Sequence, residues 1–405
     1  MPIHQTADQL IPGLRGHQQR LFVAGGAGAL LSLAGLWMNA AQFYQSYLMG
    51  YMLVLGITLG CLAIGMIHQL SGGAWGVLIR RPIGAASRVL PVLTVLFLPI
   101  ALGMHHLYEW THADVVAHSE VLQHKAAYLN VPFFLGRAAF YFLVWNALSY
   151  FLNTWSLEQD RTGNPRIPRR MQMLSAGGLV AYGLTVTFAS FDWLMSIEPH
   201  WFSTIYGVLI MGGQALSAMA FLIAAIVWLG RRPPVSGVIA PAYLHDLGNL
   251  MLAFVMLWAY FSFSQYLIIW SGNLPEEIAW YLHRLQTGWR AIALALVVFH
   301  FALPFCLLLS RHVKREGQLI VKVAVLVLFT RLLDLFWLIA PEFHREGVSV
   351  SWLDVVLPAT LGAIWLACFV WQLRGRAILP IHDPQFDETL GRIMERAIER
   401  PSATH

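Results

Sequence analysis

The sequence predicts an all-α integral membrane protein with about ten transmembrane helices. Of its 405 residues, 58% are hydrophobic and 12% are charged, whereas a soluble domain typically carries about 25% charged residues. Apolar stretches of about 20 residues, the length that an α-helix needs to cross a bilayer, recur from one end of the chain to the other. Together these observations exclude a soluble globular fold.

The apolar stretches define ten predicted spans, separated by short linkers that contain glycine, proline and charged residues. We place the spans at residues 21–43, 47–70, 88–108, 132–152, 171–194, 203–229, 242–270, 286–310, 317–340 and 351–373. The chain thus divides into an N-terminal segment (1–20), a ten-helix membrane domain (21–374) and a tail (375–405). In the tail, apolar residues spaced among charges predict a short amphipathic helix at 387–399.

The basic residues of the loops predict the orientation. Cytoplasmic loops of membrane proteins carry an excess of Lys and Arg, and nineteen of the 26 such residues fall on the side that holds both termini. The opposite side has three, Lys125, Arg284 and Arg345. Both termini are therefore predicted to be cytoplasmic. Because the positive charge is spread over these short loops, it does not indicate nucleic acid binding.

Cysteine and histidine placement argues against a redox centre bound by this chain. The three cysteines lie singly inside apolar spans, without a CxxC or CxxCH motif, so they offer neither an iron–sulfur site nor a covalent haem site. The histidines of the spans have no partner at a matching depth, which a bis-histidine haem requires. The sequence predicts no metal ion and no covalently bound cofactor, with membrane lipids as the surrounding molecules.

Two parts of the chain are predicted to be copies of one four-helix unit. Spans two to five (about 47–194) and six to nine (about 203–340) each contain an arginine at the start of the third helix and an aspartate near the end of the fourth. These are Arg137 with Asp192 and Arg290 with Asp334, each aspartate being followed by a proline seven residues later. A shift by four spans preserves orientation, so the repeat is parallel, with one flanking helix at each end. Each arginine–aspartate pair is either a structural ion pair or part of a chemical site. For Asp334, Arg331 is an alternative partner, because it lies three residues earlier on the same helix face.

Ionisable and hydroxyl groups inside the spans are candidates for a proton path. A charge at mid-membrane costs about 2.5–3.5 kcal/mol on insertion scales, so such groups are expected to face protein or water. The alternative for each is a satisfied packing group. The candidates are Asp192, Asp334, Arg331, Arg137, Arg290, His300, Lys322, His245, Asp246 and Tyr260.

Two stretches of sequence resemble a known family. Residues 190–204 read SFDWLMSIEPHWFST, and residues 265–277 read QYLIIWSGNLPEE. Both are similar to the NrfD-like (polysulfide reductase type) membrane subunits of alternative complex III, a quinol:electron-acceptor oxidoreductase. That complex has two such membrane proteins, and the shorter of the two is the more similar in length. The ten spans and two four-helix units match the same family over nearly the whole chain.

The resemblance implies a function and a set of partners. It implies a membrane component without its own redox centre that provides quinol or menaquinol access, a proton path, or both. The implied partners are a second NrfD-like membrane subunit, an iron–sulfur subunit and c-type cytochrome subunits on the outer side of the bacterial cytoplasmic membrane. Whether this chain itself carries out enzymatic chemistry stays open. Implied candidates for quinone or partner contact on the outer side are His105, His106, Glu198, His200, Gln265, Asn273, Glu276 and Glu277.

Two other functions fit the same observations. A stand-alone secondary transporter would also contain repeats and buried charges. A purely structural membrane anchor would use the same polar groups to hold helices together. Copurification of redox proteins would distinguish a subunit of a redox complex from a transporter, which should purify alone. Substitution of Asp192 or Asp334 would distinguish a proton path from a structural anchor, in which only assembly should change.

Overall fold

The computed structural model describes residues 13–230, 241–374 and 376, and this part of the chain is all-helical, with no β-strand. It contains ten helices that are long and apolar enough to cross a membrane, as the sequence predicts. The amphipathic helix predicted at 387–399 lies outside the described residues, as does the linker at 231–240.

We number the ten long helices in chain order. Their bounds are α1 Leu14–Met38, α2 Ala40–Ser71, α3 Arg80–Leu102, α4 Val131–Thr162, α5 Arg166–Trp193, α6 Tyr206–Leu229, α7 Pro241–Gly272, α8 Trp289–Leu309, α9 Gly317–Phe343 and α10 Leu353–Leu373. The largest departure from the predicted spans is at the end of α4, which extends to residue 162 rather than 152. Helices α1 and α3 begin at residues 14 and 80 rather than 21 and 88. In both cases the helix continues into a basic segment that hydropathy alone assigns to a loop.

Helix α3 is interrupted twice, and prolines explain the interruptions. It consists of the segments Arg80–Ser87, Leu90–Val95 and Leu98–Leu102. Pro91 and Pro99 occupy the first turns of the second and third segments, where a missing N–H leaves no unpaired donor. The helix therefore restarts at each proline instead of running straight through the membrane.

Helix α8 contains a π-helical turn from Leu296 to Ala302. The next segment begins with Leu303 and Pro304, and a proline in a continuing helix removes one backbone hydrogen bond and pushes the preceding turn aside. Single π-turns are frequent at functional sites. This one contains His300, which is fully buried.

Helices α2 and α6 form the centre of the bundle. They are the most buried of the ten, and they pack directly against each other. At their crossing, a Cβ on Gly60 would lie 2.2 Å from the carbonyl oxygen of Gln214 and 2.7 Å from the Cβ of Ala218. The crossing thus requires glycine at position 60, because any larger residue would separate the two backbones.

The remaining helices surround this pair in a regular order. Helix α2 packs against α3 and α5, as α6 packs against α7 and α9; α4 joins α3 to α5, as α8 joins α7 to α9. Contacts of α5 with α6 and of α9 with α2 close the ring, and α1 packs mainly on α10 at one side. Helices α1, α4, α7 and α8 are the least buried of the ten, the pattern of lipid-facing helices.

Candidate functional site

The carboxylate of Asp192 is fully enclosed near the end of α5. Arg137 of α4 donates from Nε and Nη2 to its two oxygens, each at 2.8 Å, and the hydroxyl of Tyr141 donates at 2.8 Å. Its side chain has no exposed surface, and that of Arg137 has 10%. A two-pronged arginine contact of this kind fixes both partners.

The other side of Arg137 is covered by the segment that precedes α4. Its guanidinium lies over the ring of Tyr128, 3.8 Å from the centroid, and donates to the Tyr128 carbonyl at 2.9 Å. Phe133 covers it from a second direction at 4.3 Å. The prediction that Arg137 and Asp192 pair is therefore confirmed, and the pair is sealed by aromatic rings.

Asp334 lies deeper in the bundle and is held differently. Its partner is Arg331, one turn earlier on α9, and Trp258 of α7 donates its indole N–H to the same carboxylate at 3.2 Å. Asp334 and Arg331 are 4% and 3% exposed. A Cβ on Gly213 of α6 would lie 2.2 Å from the Arg331 Cζ, so this glycine makes room for the guanidinium.

His300 is buried beside this ion pair. Its Nδ1 lies 2.6 Å from the Thr330 hydroxyl, which donates in turn to the Leu326 carbonyl at 2.9 Å. When the Thr330 hydroxyl gives its single proton to the Leu326 carbonyl, the His300 ring donates from Nδ1, and a neutral imidazole then has an unprotonated Nε2. Among the described residues, no hydrogen-bond partner faces that Nε2.

Trp258 joins His300 to Asp334. Its ring packs edge to face against the His300 ring, with 4.4 Å between centroids, while its N–H reaches the carboxylate. Four helices, α6 to α9, therefore meet around one enclosed polar group. We call His300, Trp258, Thr330, Arg331 and Asp334 the inner cluster.

A further charged group lies nearer the predicted outer end of the bundle than the inner cluster does. Arg284 is 1% exposed, and its Nη1 is 3.5 Å from Glu198 and 3.2 Å from the Trp280 carbonyl. The guanidinium also stacks on the Trp280 ring at 3.7 Å. Burial lowers the pKa of Arg284, and Glu198 opposes that shift. Together with Trp201, Tyr206 and Glu342, these residues line a small cleft, which we call the outer cleft.

Tyr206 lies between the outer cleft and the inner cluster. It lines the cleft and is within electrostatic range of Glu198 and Arg284 on one side and of Arg331 and Asp334 on the other. On α9, Asp334 and Glu342 are separated by about 12 Å at 1.5 Å per residue. The Tyr206 phenol is buried, and its charged neighbours belong to both groups.

Several residues of the two family-like stretches meet at this cleft. Gln265, 1% exposed, accepts a long hydrogen bond from the Ser203 hydroxyl and donates to Tyr281, both at 3.4 Å. The indole of Trp201 donates to the Glu277 carbonyl at 3.1 Å and stacks on Trp280 at 4.7 Å. Residues 190–204 and 265–277 are far apart in the chain, and these contacts bring them together.

The other outer candidates are exposed. Glu276 and His200 face away from the protein, and Asn273 ends α7 in a left-handed conformation with φ 48°. His105 lies 3.8 Å, ring to ring, from His112, and His106 stacks on Tyr44 at 5.2 Å. These side chains are placed for surface contact rather than for the enclosed site.

The structure removes several candidates from the predicted proton path. Tyr260 is 64% exposed, and Lys322, Arg290 and Asp246 are exposed as well. Their helices turn these side chains away from the inner cluster. Of the two partners that the sequence offers Asp334, the structure excludes Arg290 and pairs the carboxylate with Arg331. His245 is half-buried, 3.3 Å from Asn249 at the far end of α7.

The two predicted aspartate–proline matches also differ in local structure. Helix α5 ends at Trp193, and Pro199 follows in a turn, whereas α9 continues through Pro341 to Phe343. Asp192 therefore lies at a helix end and Asp334 lies inside a helix. The inner cluster and the Asp192 pair are not equivalent sites, although their sequences are similar.

Sequence reasoning missed several residues that the structure places in these groups. Hydropathy assigns Arg284 to a loop and Glu342 to a helix end, yet both line the outer cleft. The signal for Arg284 is the helix Pro275–Gln286, which contains both apolar and charged residues and lies between two spans. Trp258 and Tyr141 carry no such signal, because an aromatic residue in an apolar span is ordinary.

The described residues contain no group of three or more His, Cys, Asp or Glu side chains placed to hold a metal ion. Cys61 and Cys368 are buried and Cys306 is exposed, each as a free thiol. No protein-family model matches this chain, and no curated protein matches it.

Proposed function

We propose that this chain is an NrfD-like membrane subunit of a quinol:electron-acceptor oxidoreductase and that its own part is to move protons. The observation that carries the proposal is that the buried Tyr206 phenol interacts electrostatically with Glu198 of the outer cleft and with Asp334 of the inner cluster. Carboxylates, phenols and imidazoles can each take up and release a proton, and ionisable groups inside a membrane domain are costly unless they serve a purpose.

The proposed path begins at Glu198 and continues through Tyr206 to Asp334. Arg331 and the Trp258 N–H stabilise the charged form of Asp334. His300 is the next acceptor inwards, because its free Nε2 has no partner among the described residues. Water would complete the steps that are longer than one hydrogen bond. In this proposal Asp192, whose oxygens are occupied by Arg137 and Tyr141, is a structural residue.

The meeting of the two family-like stretches supports the assignment of the partner side. Residues 190–204 and 265–277 are the parts of the sequence that resemble alternative complex III, and Ser203 with Gln265 and Trp201 with Glu277 join them at the outer cleft. We infer that quinol and the iron–sulfur protein approach this end. A second NrfD-like subunit and c-type cytochromes would complete the assembly in a bacterial cytoplasmic membrane with both termini in the cytoplasm.

The helix packing supports a parallel repeat. Every contact within α2 to α5 has a counterpart within α6 to α9, and the contact of α5 with α6 corresponds to that of α9 with α2. We propose that the two units diverged at their polar sites, so that one holds a sealed ion pair and the other the proton-carrying group.

Purification in a mild detergent tests the assignment. The chain, tagged at one terminus, is expected to bring down c-type cytochromes, seen as haem c absorbance, and iron–sulfur proteins identified by mass spectrometry. The preparation is expected to oxidise a short-chain menaquinol. A chain that purifies alone, without haem and without quinol oxidation, would contradict the proposal and favour a stand-alone transporter.

A further inference from the structure

Four arginines meet at the opposite end of the bundle, where the chain termini are predicted to face the cytoplasm. Arg80, Arg81, Arg88 and Arg376 line one pocket together with Gly84, Asn153, Ser156 and Leu373. Among the described residues that line it there is no Asp or Glu. An arginine cluster in a cleft is the usual protein site for a phosphate group, because each guanidinium matches two phosphate oxygens.

Hydrogen bonds to neighbouring helices fix three of these arginines. Arg80 donates to the Gln159 side chain at 3.3 Å. Arg88 donates to the Gln372 side chain at 3.1 Å, to the Gln372 carbonyl at 3.0 Å and to Asn153 at 2.8 Å. Arg81 donates to Asp160 and, at 3.4 Å, to Ser156. Hydrogen bonds between α3, α4 and α10 thus hold these arginine side chains in place, so few side chains have to become ordered when an anion enters.

The same arginines retain donors that nothing in the described chain satisfies. The Nε of Arg81, whose side chain is 9% exposed, and the Nη1 of Arg376 are shielded from solvent and have no hydrogen-bond partner. Burial and the charge of Arg81 lower the pKa of Arg376. Buried guanidinium donors without partners are costly, and an anion in the pocket would satisfy them and reduce the mutual repulsion.

An apolar cleft adjoins the arginine pocket. The two cavities share Arg80, Gly84, Asn153 and Ser156, and the second continues between α2, α3 and α4. Its further lining is mostly apolar in surface and consists of Leu62, Gly65, Ile83 and Leu152 together with the polar residues His68, Gln69 and Ser87. An inorganic phosphate ion has no apolar part that could occupy this continuation. A lipid would place its head group on the arginines and an acyl chain along the cleft.

We propose that this pocket binds the phosphodiester head group of an anionic glycerophospholipid from the predicted cytoplasmic leaflet. Basic pockets between transmembrane helices on the cytoplasmic side are suited to anionic head groups. The ligand would join α10 to α3 and α4 at the point where Arg88 already links them. This inference concerns the opposite end of the molecule from the outer cleft and does not depend on the proposed proton path.

Native mass spectrometry of the delipidated full-length chain tests the site. The chain is titrated with phosphatidylglycerol, with zwitterionic phosphatidylcholine and with inorganic phosphate. Phosphatidylglycerol is expected to bind at least tenfold more tightly than phosphatidylcholine. Arg376→Gln is expected to weaken phosphatidylglycerol binding about tenfold, the effect of one lost charge-assisted hydrogen bond, and Arg376→Lys to weaken it less.

Arg374→Gln is the matched control, because it removes the same charge two residues away. Arg374 donates to Gln18 of α1 rather than lining the pocket, so this variant is expected to bind phosphatidylglycerol within about twofold of the parent. Equal binding by the parent and Arg376→Gln would overturn the proposal. Equal affinity for the two lipids would do the same, and so would occupancy by inorganic phosphate that excludes the lipid.

Discussion

Arg137 holds both carboxylate oxygens of Asp192 at 2.8 Å, joining α4 to α5 at the predicted outer end of the bundle. In contrast, the partner of Asp334 lies on the same helix, and the contact that links this aspartate to another helix comes from Trp258. The first pair therefore connects two helices directly. The second pair is part of the inner cluster, whose members come from α7, α8 and α9.

Replacement of Arg137 by glutamine is expected to destabilise the fold. It leaves the Asp192 carboxylate buried without its cation, and breaking a buried ion pair by removing one partner costs about 3–5 kcal/mol. Arg290→Gln is the matched control, since Arg290 is exposed at the start of α8 and its replacement is expected to leave stability unchanged. Thermal unfolding of the detergent-solubilised variants measures the difference. Equal melting temperatures for both would mean that the Arg137–Asp192 pair contributes nothing to stability.

The glycine at the centre of the bundle allows a second stability prediction. Gly60→Ala would place a Cβ 2.2 Å from the Gln214 carbonyl oxygen, forcing α2 and α6 apart, and overpacking of this kind typically costs about 1–3 kcal/mol. Gly183→Ala in α5 meets no atom within 4 Å, so it is expected to be neutral or slightly stabilising. The readout is again the melting temperature, and a Gly60→Ala protein as stable as Gly183→Ala would contradict the close crossing.

The topology prediction rests on the distribution of basic residues. Reporter fusions after Arg166, which begins α5, are expected to report the cytoplasm, and fusions after Lys125, between α3 and α4, the outer side. The excess of Lys and Arg on one side of the ten spans is the physical reason. A cytoplasmic signal from the Lys125 fusion would reverse the assignment of the outer cleft.

Hydropathy is sufficient to predict the ten helices, because a membrane span needs an apolar run of fixed length and few other segments have one. It places the start of α3 at residue 88, whereas the helix begins at residue 80. Arg80 and Arg81 resemble a loop in the sequence, but at the predicted cytoplasmic end their guanidinium groups bond to Gln159 and Asp160 of α4. Helix ends rich in arginine depend on such tertiary partners, which a sequence does not display.

The polar site is less predictable from the sequence than the fold. Arg137 and Asp192 can be paired correctly because both are charged residues near one membrane boundary. Tyr260 and Lys322 are candidates for the path only because they are polar and lie in spans, and the structure turns both outward. In a helix that is apolar on every side, little in the sequence indicates which face is buried, so the inward face has to be read from the packing.

Replacement of Asp334 by asparagine tests the proton path. Asparagine keeps the size of the side chain and its contact with the Trp258 N–H but carries no exchangeable acidic proton. Because the change also leaves the buried Arg331 guanidinium without its anion, assembly with the partners is measured by copurification before the activities are compared. We expect either that the rate of quinol oxidation falls by at least about tenfold, as for a lost proton-transfer group, or that turnover survives with fewer protons released per electron.

His300→Gln extends the same test inwards along the proposed path. Glutamine can still donate to the Thr330 hydroxyl but cannot take up a proton at a free ring nitrogen, so we expect a comparable loss of proton release. The matched control is Lys322→Gln, which removes an ionisable group from the exposed face of α9, within the same membrane domain. It is expected to retain full turnover and full proton release. Normal activity in Asp334→Asn and His300→Gln, or a loss in Lys322→Gln equal to theirs, would mean that protons do not pass through the inner cluster.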